Sequence, residues 1–251
     1  MVLFSLLSGS GSAGSYDTES KKIELNGRTI GTSPSFVLEP GDIIRVKGEE
    51  LVVTPFTTLR MGDMVKRRTQ IIQPWDAAYS MKVLSLKPGM RVLESGGGSG
   101  AMSSHILDTI GDSGFLVTVE ENSSNCDGLI SLRKFLKREK NWEIVNSRIE
   151  DFSSGEKFDA AMLDLPEPWL AVESMKKILK PGAIFCTYLP TFNQVEKAHT
   201  TFAKSGFYVL ECSEILRRRI LVREGATRPD NDIIGHTAFL SFFVRCSGLR
   251  Y

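Results

Sequence analysis

The chain has 251 residues, 41% of them hydrophobic, enough for one large domain and a small one around a sizeable core. Lysine plus arginine number 31 against 30 acidic residues, and the net charge of +1 excludes a protein that coats nucleic acid by bulk charge. No apolar run approaches the ~20 residues a membrane span needs, so the sequence predicts a soluble chain with no membrane partner.

Residues 1–20 are Gly/Ser-rich after a brief apolar start (Val2, Leu3, Phe4, Leu6, Leu7). They carry neither the basic start of a secretory leader nor the arginines of a mitochondrial one, and are expected to be a disordered, frayed or expression-derived terminus. From 21 to 69, short apolar runs alternate with turn residues: Ile23-Glu24-Leu25, Asn26-Gly27, Phe36-Val37-Leu38, Pro40-Gly41, Ile43-Ile44-Arg45-Val46 and Leu51-Val52-Val53. The pattern predicts a small antiparallel β domain, with Asn26-Gly27 as a hairpin turn. It ends in Lys66-Arg67-Arg68, either a solvated edge or a phosphate contact.

Residues 70–251 read as alternating strands and helices. A helix is predicted over 76–86, stopped by Lys87-Pro88-Gly89, and the same stop recurs at Lys180-Pro181-Gly182. Strands are predicted at 91–95, 115–120, 142–145, 158–164, 183–188, 207–215 and 237–244, with helices over 127–140, 168–179 and 194–204 between them. The fold class is therefore α/β, a mostly parallel, doubly wound, Rossmann-like sheet whose ligand lies beyond the carboxyl ends of the strands.

Arg91-Val92-Leu93-Glu94-Ser95-Gly96-Gly97-Gly98-Ser99-Gly100-Ala101 reads as strand, tight loop and helix start, with Met102, Ile106, Leu107 and Ile110 as the apolar face that follows. Glycines suit a loop that turns sharply and lets a ligand approach the backbone. A flexible linker is the bland alternative, but its flanks are too regular in pattern. Gly96-x-Gly98-x-x-Ala101 satisfies the dinucleotide fingerprint on paper. Glu94 together with Gly96-x-Gly98-x-Gly100 instead resembles the first motif of the S-adenosylmethionine (SAM) methyltransferases; a carboxylate there suits an ammonium group and repels a pyrophosphate.

Glu120 ends the second strand of this unit, where an acid accepts the hydroxyls of a ribose, in NAD and SAM proteins alike. Asp151 suits a turn cap better than an adenine contact. Asp164-Leu165-Pro166-Glu167-Pro168-Trp169 places a carboxylate at the end of the fourth strand, in a loop fixed by two prolines, where a methyl acceptor would lie. The competing role for Asp164 is a helix N-cap. Four cysteines (Cys126, Cys186, Cys212, Cys246) without a C-x-x-C pair and three scattered histidines (His105, His199, His236) suggest neither disulfides nor a metal site, and an intracellular setting is the default.

Arg68-Thr69-Gln70-Ile71 with Pro74-x-Asp76, then the Glu94 glycine loop, then Met162-Leu163-Asp164-Leu165-Pro166-x-Pro168-Trp169, then Gly235-His236-Thr237-Ala238-Phe239-Leu240 occur in this order. The whole, from about residue 40 to 244, resembles the tRNA (adenine(58)-N1)-methyltransferases, and most of all their mitochondrial branch. The resemblance implies SAM as cofactor and tRNA as substrate. It implies that Gly96, Gly98, Ser99, Gly100 and Ala101 contact the methionine and ribose parts of SAM, Glu120 the ribose, and Gln70-Ile71 the amino-acid end. Asp164 would lie between the sulfonium and the target adenine and be the catalytic residue.

Two departures from the family pattern matter. Gln73 stands where bacterial relatives often have tyrosine, leaving Trp75 as the substitute for base stacking. Ser147-Arg148 replaces the usual Gly-Asp, so adenine recognition would rest on the Arg148-Ile149 backbone. RNA contacts are expected from Arg68 in the first basic run, from Arg218 within Arg217-Arg218-Arg219 near Arg223 and Arg228, and from His236. The family is typically tetrameric, and a homo-oligomer would pool the patches that one nearly neutral subunit presents sparsely. The resemblance places the protein in the mitochondrion, with cytoplasm or nucleus as alternatives. A SAM enzyme for a protein or small-molecule acceptor, and a silent RNA-binding partner subunit, are the competing functions.

Overall fold

In the computed structural model of the chain, the structure describes residues 3–9, 12–26, 28–32, 37–59, 61 and 71–248. The first six strands form one antiparallel sheet: β1 (Leu3–Leu7), β2 (Ala13–Asp17), β3 (Lys22–Leu25), β4 (Arg28–Thr32), β5 (Ile43–Val46) and β6 (Glu49–Pro55), in the order β4-β3-β2-β1-β6-β5. Residues 3–17 are therefore not a frayed terminus, because β1 pairs with both β2 and β6 and buries Leu6, Ala13 and Tyr16 completely. The Gly/Ser composition marks close packing here. A β-carbon on Gly14 would lie 2.0 Å from the Glu24 carbonyl oxygen.

Leu25 pairs with Arg28 across the expected hairpin turn, and Asn26 takes the left-handed φ of 49° that such a turn requires. Val37 and Leu38 join no strand. Leu38 is buried among Leu6, Tyr16, Leu51 and Val53, so the apolar run reflects burial without a ladder. Gly27, Phe36 and the basic run Lys66-Arg67-Arg68 lie outside the described residues.

The larger unit follows the predicted alternation: α1 (Pro74–Val83), β7 (Arg91–Ser95), α2 (Ala101–Ile110), β8 (Phe115–Glu120), α3 (Ser123–Phe135), β9 (Trp142–Asn146) and β10 (Phe158–Leu163). A 3-10 turn (Pro168–Ala171) runs into α4 (Val172–Ile178), and β11 (Leu179–Leu189), α5 (Phe192–Lys204), β12 (Phe207–Ser213), β13 (Ile220–Leu221), β14 (Arg228–Pro229) and β15 (Phe239–Arg245) complete it. Pro181-Gly182 does not precede β11 but lies within it. The pairs Phe158–Leu179 and Ala160–Ile184 leave those residues in a bulge, which is where a proline without an amide proton is tolerated.

The seven-stranded sheet has the order β9-β8-β7-β10-β11-β15-β12. Its β7, β8, β9, β10 and β11 pairings are parallel, whereas β15 runs antiparallel between β11 and β12. Successive residues of β7 feed opposite faces: Val92 packs with Ala77, Ile106 and Leu129, and Leu93 packs with Met175, Ala198 and Phe202. Helices α1 to α3 thus cover one face and α4 to α5 the other, which explains the near-continuous apolar strands. The strands run outward from β7 through β8 to β9, and the chain then crosses back to add β10 on the other side of β7; this switch point opens a crevice at the carboxyl ends. The two sheets meet where Phe56 packs on Phe135 and Thr58 Oγ1 donates to Asp108 (3.3 Å). No helix among the described residues is long and apolar enough to cross a membrane.

Candidate active site

The glycine loop starts where three central strands are laced together. The Gly96 amide donates to Val119 O and the Asp164 amide to Ser95 O, both at 2.9 Å. Gly96 has φ +86° and Gly100 φ +81°, a region in which a β-carbon is strained. A β-carbon on Gly96 would stand 2.1 Å from the Asp164 carbonyl oxygen, and one on Gly100 would stand 2.4 Å from Leu132 Cδ2. The glycines are thus required by contacts inside the protein as much as by approach of a ligand. Gly100 then caps α2, whose first amides face the crevice.

A cleft of about 530 Å³ occupies the crevice. Gly96, Gly98, Ser99 and Ala101 line it from the loop, Glu120 from the end of β8, Arg148 and Ile149 from beyond β9, and Asp164 to Glu167 from beyond β10. Ile71 and Ile72 close its other side. Apart from Ile71 and Ile72, which precede α1, each of these segments follows a parallel strand, so a ligand here touches several elements that are distant in sequence.

Glu94, Glu120 and Asp164 are the carboxyl groups at the glycine loop, and Glu121, Glu150 and Glu167 also line the cleft. Glu94 is 1% exposed; Ser103 and Thr118 donate to its Oε2 at 2.5 and 2.7 Å, while its Oε1 has no hydrogen-bond partner among the described residues. Burial, reinforced by the charges of Asp164 and Glu120, pushes its pKa up to about 7. Asp164 is partly open to the cleft and enclosed by protein elsewhere; burial, and then the Glu120 charge, push it up to about 7 as well. Glu120 accepts the amides of Gly98 (2.9 Å) and Asn122 (2.8 Å), which ties the glycine loop to β8. Asp164 is not a helix cap: Glu167 precedes the Pro168–Ala171 turn, which has no side-chain cap bond.

This donor set fits SAM. An acidic cluster with an orphaned carboxylate oxygen suits a ligand carrying ammonium and sulfonium charges, and the glycine cradle admits a nucleoside beside Glu120. It does not fit a pyrophosphate. Among the described residues, Arg148 is the one cationic side chain lining the cleft, and it pairs with Glu150 at 3.2 Å.

The structure thus brings together Ile71, Gly96, Gly98, Ser99, Ala101, Glu120, Arg148, Ile149 and Asp164, with Gly100 and Glu94 immediately behind them. Arg68 and Gln70 lie outside the described residues. Gln73 and Trp75 sit at the start of α1 and do not line the cleft; Arg217 lies over the Trp75 ring at 5.1 Å. Arg218 is exposed in the segment after β12, and His236 precedes β15, bonded to Glu214 Oε1 (2.5 Å) and Pro190 O (2.8 Å). Asp151 is exposed and does not line the cleft.

Sequence reasoning missed the support beneath Glu94. Trp142 Nε1 donates to Thr118 Oγ1 (2.9 Å), whose hydroxyl in turn donates to Glu94. The available signal was Thr118, a polar residue between Val117 and Val119 on the same strand face as Glu120.

Comparison with known proteins agrees with this geometry. A family model described as tRNA methyltransferase complex GCD14 subunit matches residues 56–233. The tRNA (adenine(58)-N(1))-methyltransferase TrmI of Thermus thermophilus is 32% identical over 209 residues, covering 80% of each chain. Two crystal structures are each 25% identical. A SAM-dependent O-methyltransferase of Thermotoga maritima has a TM-score of 0.84 and covers 100% of this chain and 95% of its own. The tRNA (m1A58) methyltransferase TrmI of Aquifex aeolicus has a TM-score of 0.75 and covers 98% and 97%. With the acid-lined glycine cradle in place and most of its length matched, the chain belongs to the GCD14 family of tRNA methyltransferase subunits.

Proposed function

We propose that this chain transfers a methyl group from SAM to N1 of an adenine in tRNA, the position-58 adenine named for its relatives. The observation that carries the reading is Asp164, which lines the cleft just past the carboxyl end of β10, directly beside the start of the glycine loop. SAM supplies an electrophilic methyl carbon on a positively charged sulfur. The ring nitrogen already has a lone pair, so the chain's task is in-line placement, with no proton to remove first. The Asp164 carboxyl accepts a hydrogen bond from the exocyclic amine of the base and faces the positive charge that arrives on the ring. Such preorganised stabilisation is worth roughly 3 kcal/mol in a dry site.

Transfer to an oxygen acceptor is the second reading, favoured by the fold match to an O-methyltransferase. An oxygen acceptor needs a base, and Asp164, pushed up to about 7, is poised to be one. The exposed Arg217, Arg218, Arg219, Arg223 and Arg228 favour RNA, since they cluster around the β13–β14 hairpin of a chain whose net charge is only +1. Self-association, as a tetramer, would multiply that patch; the family's description as a complex subunit supports a second subunit as the other source. Light scattering distinguishes the two. The mitochondrial setting that the resemblance implies is tested by fractionating cells that express the full-length protein.

The deciding experiment incubates the chain with labelled SAM and unmodified tRNA transcripts, then identifies the methylated nucleoside, with Asp164→Ala beside it. N1-methyladenosine made only by the wild type supports the reading; label on another nucleoside, or on no RNA despite SAM binding, overturns it.

A further inference from the structure

The loop opened by Asp164 is fastened to α5 at two points. Gln194 Nε2 donates to Pro166 O at 3.0 Å, and Lys197 Nζ lies 4.1 Å from the centroid of the Trp169 ring. The first residue of that helix, Phe192, is 74% exposed. Its ring stacks on Phe239 at 4.5 Å with an interplanar angle of 29°. Phe239 also packs against His236 at 4.8 Å, and both imidazole nitrogens of His236 face acceptors, Glu214 and the Pro190 carbonyl. Those acceptors raise its affinity for a second proton.

Register places this tier of rings at the same end of the sheet as Asp164. Phe239 begins β15 opposite Leu189, the last residue of β11, and β11 is the neighbour of β10, the strand that ends just before Asp164. Two strand spacings separate β15 from β10, roughly 10 Å. The Phe192 ring is thus backed by Phe239 on one face and exposed elsewhere, with Lys197 on the same helix over Trp169 and His236 against the far side of the ring pair. That combination matches the flat faces and the charge of single-stranded nucleic acid.

We propose that Phe192 is a stacking platform for an unpaired nucleobase of the RNA substrate, next to the one presented to Asp164. The inference rests on the reading of the chain as an RNA methyltransferase.

The test compares Phe192→Ala, Phe192→Leu and Phe192→Trp for KM with an unmodified tRNA transcript and for direct binding of the same fluorescently labelled transcript. Phe192→Ala is expected to raise both KM and Kd by roughly tenfold, within the range that loss of one base–aromatic stack produces. Phe192→Leu should behave like Phe192→Ala, Phe192→Trp should stay near wild type, and SAM affinity should hold in all three. Wild-type affinity in Phe192→Ala overturns the platform, as does Phe192→Leu matching Phe192→Trp, which would show apolar packing without stacking. A fall in oligomer mass for Phe192→Ala also overturns it and makes the ring a contact between copies. If the wild type methylates tRNA and Phe192→Ala is indistinguishable, only the platform fails; if the wild type neither binds nor methylates tRNA, the underlying reading fails with it.

Discussion

Gly96 stands against the backbone carbonyl of Asp164, so close that a β-carbon would lie 2.1 Å from the oxygen. The residue that opens the cofactor loop and the residue assigned to the acceptor therefore share one contact, and neither strand end can move alone. Gly96→Ala is expected to cost about 1–3 kcal/mol of stability, from the φ of +86° alone, and to weaken SAM binding as well. Urea unfolding and calorimetric titration with SAM measure the two effects; full SAM affinity in a folded variant would show that the contact does not set the site.

Replacing the carboxyl of Asp164 by an amide keeps its shape and removes its charge. Asp164→Asn should lower kcat on the order of a hundredfold while KM for tRNA moves less than threefold, since the charge matters most as the base becomes cationic. Steady-state kinetics with purified transcripts check this. An unchanged kcat would remove Asp164 from the chemistry.

Glu94 should trade stability for binding. Its ordinary pKa of 4.5 rises to about 7 in the fold, so the proton is held more tightly in the folded than in the unfolded chain. Its stabilising contribution is fully present below pH 4.5 and is lost as the pH rises through about 7. Relative to Glu94→Gln, the wild type should therefore weaken between pH 5 and pH 8 by about 3 kcal/mol. Paired urea titrations at the two pH values give the difference, and the same variant should bind SAM less tightly.

SAM affinity itself should climb with pH. A cationic ligand favours ionised Glu94 and Asp164, both pushed up to about 7, so binding below that pH must release protons. The association constant is expected to rise by up to about tenfold per pH unit and per released proton from pH 5.5 toward 7, then level off. Calorimetry in buffers of different ionisation enthalpy counts the protons; a count of zero at pH 6 would mean that neither group ionises on binding.

Arg218 is exposed in the segment before β13. If it meets a phosphate, Arg218→Ala should weaken tRNA binding for every transcript alike and reduce the slope of log affinity against log salt by about one. Filter binding across a salt series reads the slope. A selective loss for one tRNA would make the contact base-specific.

The alternation of strands and helices, the glycine loop after β7 and the carboxylate after β10 were legible in the amino-acid sequence because they depend on local periodicity and local φ requirements. The same locality misled at residues 3–17, where glycine and serine read as looseness although they permit two strands to pack closely. Only the tertiary structure decided that β15 inserts between β11 and β12, that Glu94 is held by Ser103 from α2 and by Thr118 from β8, and that Gln73 and Trp75 stand off the cleft. It also decided that Phe192, His236 and Phe239 form one tier. Ring stacking, the pKa of a buried acid and the width of a cleft are set by distances through space between segments remote in sequence, and no local pattern encodes those distances.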